Sequence, residues 1–188
     1  MFIEQAYKGN NEWWRVFLTT LFSTGIFILN FIMFLVLPKE AIDDTYDIMK
    51  NMPKIVALMV NLVPFVLLLG LLFTLLYTLH QRNVLSLTTT RNSVDFKRIF
   101  FSFGLIVFFT LVTFGVSYFR DHSSIVCNFH PVKFLLLFLV SMALFPFQIG
   151  FEEYLFRGYL MQQIGIIAKN RWTPFLITSV VFGIFHSA

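Results

Sequence analysis

Apolar residues in this chain fall into long uncharged blocks, without the two-residue alternation of a half-buried strand or the single stripe of a soluble helix. The first block, 16–37, runs about 22 residues without a charge, which matches the roughly 20 needed to cross a 30 Å hydrocarbon core. Trp13, Trp14 and Arg15 stand just before it as interfacial anchors. It is too long for the apolar region of a signal peptide and predicts a retained span. A second block, 55–79, contains Pro64 and predicts a helix kinked there, because neighbouring helices can satisfy the carbonyl that a proline frees. Blocks at 99–119 and 134–151 follow, and a fifth opens at Trp172. The connections 38–54, 80–98 and 120–133 are short and polar. The pattern predicts an all-α, polytopic transmembrane helical bundle with four spans and an incomplete fifth.

Composition agrees. Hydrophobic residues make up 57% of the 188 and charged residues 13%, half the roughly 25% charged content of soluble domains. A soluble enzyme domain and a disordered tail are thereby excluded. The formal charge of +4 is carried by isolated residues between apolar blocks, with no basic stripe, so no nucleic-acid partner is expected. The single cysteine, Cys127, permits neither an intrachain disulfide nor a cysteine metal cluster. No repeat or Gly/Ser-rich linker divides the chain; its organisation reads as N-terminal spans and loops over 1–133 and a motif-bearing region over 134–188. Lys8, Arg15, Arg82, Arg91, Lys97, Arg98, Lys169 and Arg171 fall on one side of the predicted topology. Lys39, Lys50, Lys54, Arg120 and Lys133 fall on the other, beside Glu40, Asp43, Asp44 and Asp47. The positive-inside rule then puts the N-terminus in the cytoplasm of a cell-membrane protein.

Charge enters an apolar region at Phe151-Glu152-Glu153-Tyr154-Leu155-Phe156-Arg157-Gly158-Tyr159-Leu160. Ionisable groups at membrane depth cost a few kcal/mol each and usually face a cavity in pairs. On a helix Glu153 and Arg157 are i,i+4 neighbours that can pair, while Glu152 lies about 100° round the axis and is the freer carboxylate. A carboxylate in a partly desolvated pocket takes a proton from water nearer neutral pH than one in bulk solvent, as a general base must. His186 is the histidine inside an apolar block; an imidazole there can bind a metal, orient a water or donate to an oxyanion. His80, His122 and His130 fall in connecting loops and suggest no function. Without further information, Glu152, Glu153 and Arg157 fit an interfacial helix start equally well, and His186 fits a packing role.

Two motifs in order shift that balance. Glu-Glu-x-x-x-Arg, at Glu152, Glu153 and Arg157 and continued by Gly158 and Leu160, resembles the first motif of the CPBP intramembrane protease family. Phe-x-x-x-His, at Phe182 and His186, resembles its second. That family includes type II CAAX prenyl endopeptidases and bacteriocin-processing or bacteriocin-immunity (Abi) proteins. The resemblance covers roughly 134–188 and implies peptide-bond hydrolysis within the membrane on a lipid-anchored, hydrophobic or prenylated peptide. It implies that Glu152 activates water, that His186 holds the water or the scissile carbonyl, and that Glu153 and Arg157 set the helix. Phe156 and Phe182 would border the substrate. The family's designation as metalloproteases implies zinc held by Glu152 and His186, although metal-free water activation by glutamate suits the same residues. Further motifs of the family fall on later helices, so the chain is expected to be C-terminally truncated and, taken alone, to bind peptide without cleaving it. A non-catalytic membrane interaction or immunity protein and a small proton-coupled transporter are the competing classes.

Overall fold

The computed structural model describes residues 2–121 and 128–187; Cys127 and His122 lie outside them. All regular elements among the described residues are helical. A 3₁₀ segment, Ile3–Lys8, precedes α1 (Trp13–Val36), α2 (Lys39–Asn51) and α3 (Lys54–Thr78). Next come α4 (Leu85–Thr88), α5 (Phe96–Arg120) and α6 (Pro131–Glu152). A π-helical segment, Glu153–Leu160, passes directly into α7 (Met161–Ala168), and α8 (Trp172–Ser187) closes the described chain. The stretches Lys54–Thr78, Phe96–Arg120 and Pro131–Ala168 are long and apolar enough to cross a membrane, and Trp172–Ile184 is a shorter apolar helix. The protein is an all-α polytopic membrane bundle.

Local chemistry explains most boundaries. Pro38, in an extended conformation, and Pro53, at φ −53° and ψ 130°, flank α2 outside helical geometry, where a proline interrupts a helix because it cannot supply the N–H that a continuing helix needs. Asp95 caps α5, its carboxylate accepting from the Arg98 N–H at 3.3 Å. Pro131 occupies the first turn of α6, where its missing N–H costs nothing. Lys169 ends α7 in the left-handed region, φ 50°, and the Asn170 side chain then accepts from the Trp172 N–H to start α8.

Three expectations need correction. The connection 38–54 contains the helix α2: Ile42, Tyr46 and Met49 make an i, i+4, i+7 stripe that a search for uncharged blocks passes over. The fourth helix does not end near 151 but runs on as π-helix and α7 to Ala168, so Glu152 to Leu160 sit inside a continuous rod. His80 does lie in the connection after α3, but it is fully buried and hydrogen-bonded there, so the absence of any role read from the sequence is what needs correcting.

The core lies between α3 and the α6/π rod. Leu68, Leu69, Leu72 and Leu76 of α3 pack with Phe151, Leu155, Phe156 and Tyr159, and α4 adds Leu87. A Cβ on Gly150 would touch Leu69 at 3.6 Å, and farther along both helices His80 meets Tyr159, so α3 and α6 run in the same direction. Phe27 of α1 stacks near Phe65 and Phe151, with centroids 5.9 and 6.1 Å away, while Thr19 reaches His80, so α1 is antiparallel to α3. Gly158 sits under α4: a Cβ there would lie 3.2 Å from Leu87 Cβ, and its absence lets the short helix settle on the π segment.

Candidate active site

The π segment and α8 assemble the site. Each N–H of a π turn reaches back five residues, and such wide turns inside α-helices recur at functional sites. Here the turn starts at Glu153, immediately after Glu152. α8 lies antiparallel to the rod, with Phe156 and Phe182 in edge-to-face contact at 5.4 Å between centroids. One turn farther along, His186 Nε2 lies 3.7 Å from Glu152 Oε2. Glu153 Oε2 and Arg157 Nη1 form an ion pair at 3.2 Å. Glu152, Glu153, Phe156, Arg157, Thr178, Ser179 and Phe182 line a cavity of about 150 Å³, about five waters' share of liquid volume. Every site residue singled out in the sequence is therefore in one place.

The two carboxylates occupy different surroundings. Glu152 is 19% exposed, whereas Glu153 and Arg157 are 44% and 72% exposed. Glu153 is committed to the arginine. Glu152 Oε1 accepts a hydrogen bond from Gln148 Nε2 at 3.4 Å, leaving Oε2 toward His186. The imidazole is oriented by α8 itself: Nδ1 meets the Phe182 carbonyl at 2.9 Å. A carbonyl only accepts, so Nδ1 carries the proton, and in the neutral form of the imidazole Nε2 offers its lone pair toward Glu152. Two acceptors facing each other at 3.7 Å call for a donor between or beside them, and a water molecule has two protons to give. The Phe182 ring, 4.1 Å from the His186 ring, limits its movement.

Depth follows from the helix geometry. The 3₁₀ segment packs on α7 and Asn10 bonds to His80, so Trp13, Trp14 and Trp172 all begin helices at one end of the bundle. At 1.5 Å per residue, His186 is about 21 Å along α8 from Trp172, within a hydrocarbon core of about 30 Å.

A catalytic zinc takes three protein ligands. Among the described residues no group of three His, Cys, Asp or Glu converges, and the pair Glu152 and His186 does not by itself make a zinc site.

Sequence reasoning missed Gln148 and Ser179. Both carried a signal: Gln148 stands four residues before Glu152, and Ser179 stands three before Phe182 and seven before His186, on one helical face. It also missed a buried polar layer at the end of the bundle where the tryptophans lie. There His80 Nδ1 donates to the Asn10 carbonyl at 2.7 Å, which leaves Nε2 to accept from the Thr19 or Tyr159 hydroxyl, both 3.0 Å away. Burial, reinforced by the Arg82 and Arg15 charges, holds the His80 pKa below its ordinary value against the opposing pull of the Asn10 bond.

Comparison with known proteins agrees with the motifs. Residues 131–188 match the family model described as Type II CAAX prenyl endopeptidase Rce1-like, which bears out the resemblance. The uncharacterized protein YyaK of Bacillus subtilis (strain 168) is 27% identical over 190 residues, covering 96% of this chain and 63% of the relative. The chain thus spans less than two thirds of that relative's length. No solved structure matches.

Proposed function

Taking the match of 131–188 as premise, we propose that this region is the core of an intramembrane endopeptidase that cleaves a lipid-anchored or hydrophobic peptide, a prenylated one included. The observation that carries the reading is the meeting of Glu152 and His186 at 3.7 Å within the matched segment. In this mechanism a water donates one proton to Glu152 Oε2 and the other to His186 Nε2, which turns its lone pair outward to the scissile carbonyl. Attack forms the C–O bond while Glu152 takes a proton; the C–N bond then breaks as that proton passes to the leaving amine. Glu153 and Arg157 are positioning residues that hold the π turn. Phe156 and Phe182 border the approach of an apolar peptide chain arriving from the bilayer. Phe156-Arg157-Gly158 directly after the paired glutamates, together with the family match, argues against a proton-relay transporter.

The test is hydrolysis in H₂¹⁸O by the full-length gene product in nanodiscs, with a farnesylated peptide as substrate and mass spectrometry as readout. One ¹⁸O should appear in the new C-terminal carboxylate. Absence of cleavage, or cleavage without the label, would refute the proposal.

A further inference from the structure

We infer that the loop joining α3 to α4, closed over by the N-terminal 3₁₀ segment, is a binding site for a phosphate group, carried by a lipid headgroup or free in solution. The site is independent of the peptidase reading. Its centre is Arg82, which is 3% exposed. Arg82 Nη2 donates to Ser86 Oγ at 3.0 Å and to Gln162 Oε1, and Gln162 is fixed in that sense because its amide donates to the Ser86 carbonyl at 2.8 Å. Arg82 Nε and Nη1 are buried without a protein hydrogen-bond partner, and among the described residues no carboxylate pairs with the guanidinium. A buried cation left in this state is costly. The chain nevertheless builds a cradle for it: a Cβ on Gly9 would fall 2.2 Å from Arg82 Cγ and 2.3 Å from the His80 carbonyl, so only glycine lets the N-terminal segment close down there.

Beside Arg82 lies a cavity of about 270 Å³ whose lining includes Gln5, Lys8, Asn83, Ser86 and Arg91, with no carboxylate among the described lining residues. Arg91 bonds Asp95 at 2.6 Å, but Asp95 is shared with Arg98 at 3.1 Å, so this trio keeps a net positive charge. The volume is below the roughly 300 Å³ at which drug-sized pockets begin, and suits a phosphate with its first waters. Lys8 and Arg91 at the rim, with the side-chain amides of Gln5 and Asn83, offer donors to phosphate oxygens from several directions, and the Arg82 guanidinium buried behind them adds its charge. Burial lowers the Arg82 pKa to about 10, which still leaves it charged near neutral pH. The position also fits: Trp13 and Tyr77, 80% and 75% exposed, lie at this end of the bundle, as aromatic residues do at headgroup level.

The test uses the whole chain. One arm is a nanodisc of phosphatidylcholine with phosphatidylglycerol, and native mass spectrometry counts retained phosphatidylglycerol. The other replaces the nanodisc with dodecyl maltoside, a detergent without phosphate, and inorganic phosphate binding is followed by ³¹P line broadening. Arg82→Gln removes the central cation but endangers folding, so the deciding variant is Lys8→Gln/Arg91→Gln at the exposed rim, with Lys39→Gln/Lys54→Gln at the opposite end as control. At about fivefold per basic residue near a membrane surface, the rim variant should bind roughly twenty-five-fold more weakly, and the control should match wild type. A loss confined to the first arm identifies a lipid headgroup; a loss in the second identifies free phosphate. Binding that is equal in wild type and rim variant, or absent from both arms, would overturn the site.

Discussion

His80 shows what a single residue's burial does to the behaviour of the chain. Its folded pKa is held down, so the unfolded chain takes up a proton first as pH falls. Stability from this residue is complete above the ordinary histidine value of 6.5 and is lost as pH drops through the window below it. The slope cannot exceed about 1.4 kcal/mol per pH unit for one proton. Thermal unfolding in detergent should therefore show the melting temperature falling between about pH 6.5 and 5, and His80→Gln should remove most of that dependence. An identical profile in the variant would contradict the assignment. The residue was not legible in the sequence because its partners, Thr19, Asn10 and Tyr159, come from three remote segments and only tertiary closure brings them together. Glu152 and His186 were legible because each interrupts an apolar block, where a charge or imidazole needs a reason to be present.

Gly9 and Gly158 each permit a close approach between elements. Gly9→Ala would drive a methyl into the Arg82 stem and the His80 carbonyl, at 2.2 and 2.3 Å, whereas at Gly158 the same change needs Leu87 to yield only a few tenths of an ångström from 3.2 Å. Overpacking usually costs about 1–3 kcal/mol. Gly9→Ala should fall at or above the upper end of that range and loosen the 3₁₀ segment; Gly158→Ala should fall at or below the lower end. Denaturant titration and hydrogen exchange at residues 3–9 check this, and equal stability of the two variants would contradict it. The apolar blocks made the long helices readable. The π turn was not readable, since the sequence 153–160 has the composition of an ordinary helix and the contacts that the segment makes with α4 and α8 are tertiary. The helix α2 was readable only by periodicity, its stripe being diluted by Glu40, Asp43, Asp44 and Asp47.

For the whole molecule, the fold gathers Lys8, Arg82, Arg91, Lys169 and Arg171 around cavities at one end, the grouping on which the positive-inside reading depends. The N-terminus and the loop following α3 are accordingly proposed to be cytoplasmic. In a Cys127→Ser background, Thr89→Cys should resist a membrane-impermeant maleimide in intact cells and react after permeabilisation; reaction in intact cells would invert the topology. The central claim is that the bundle holds Glu152 as a base at a membrane-embedded cleft, and Glu152→Gln in the full-length gene product tests it most directly. The amide keeps the size of the side chain and cannot accept the proton. The account predicts that the variant binds a farnesylated peptide in nanodiscs as wild type does, while its cleavage rate falls by about 10²-fold or more. Cleavage at the wild-type rate would contradict it.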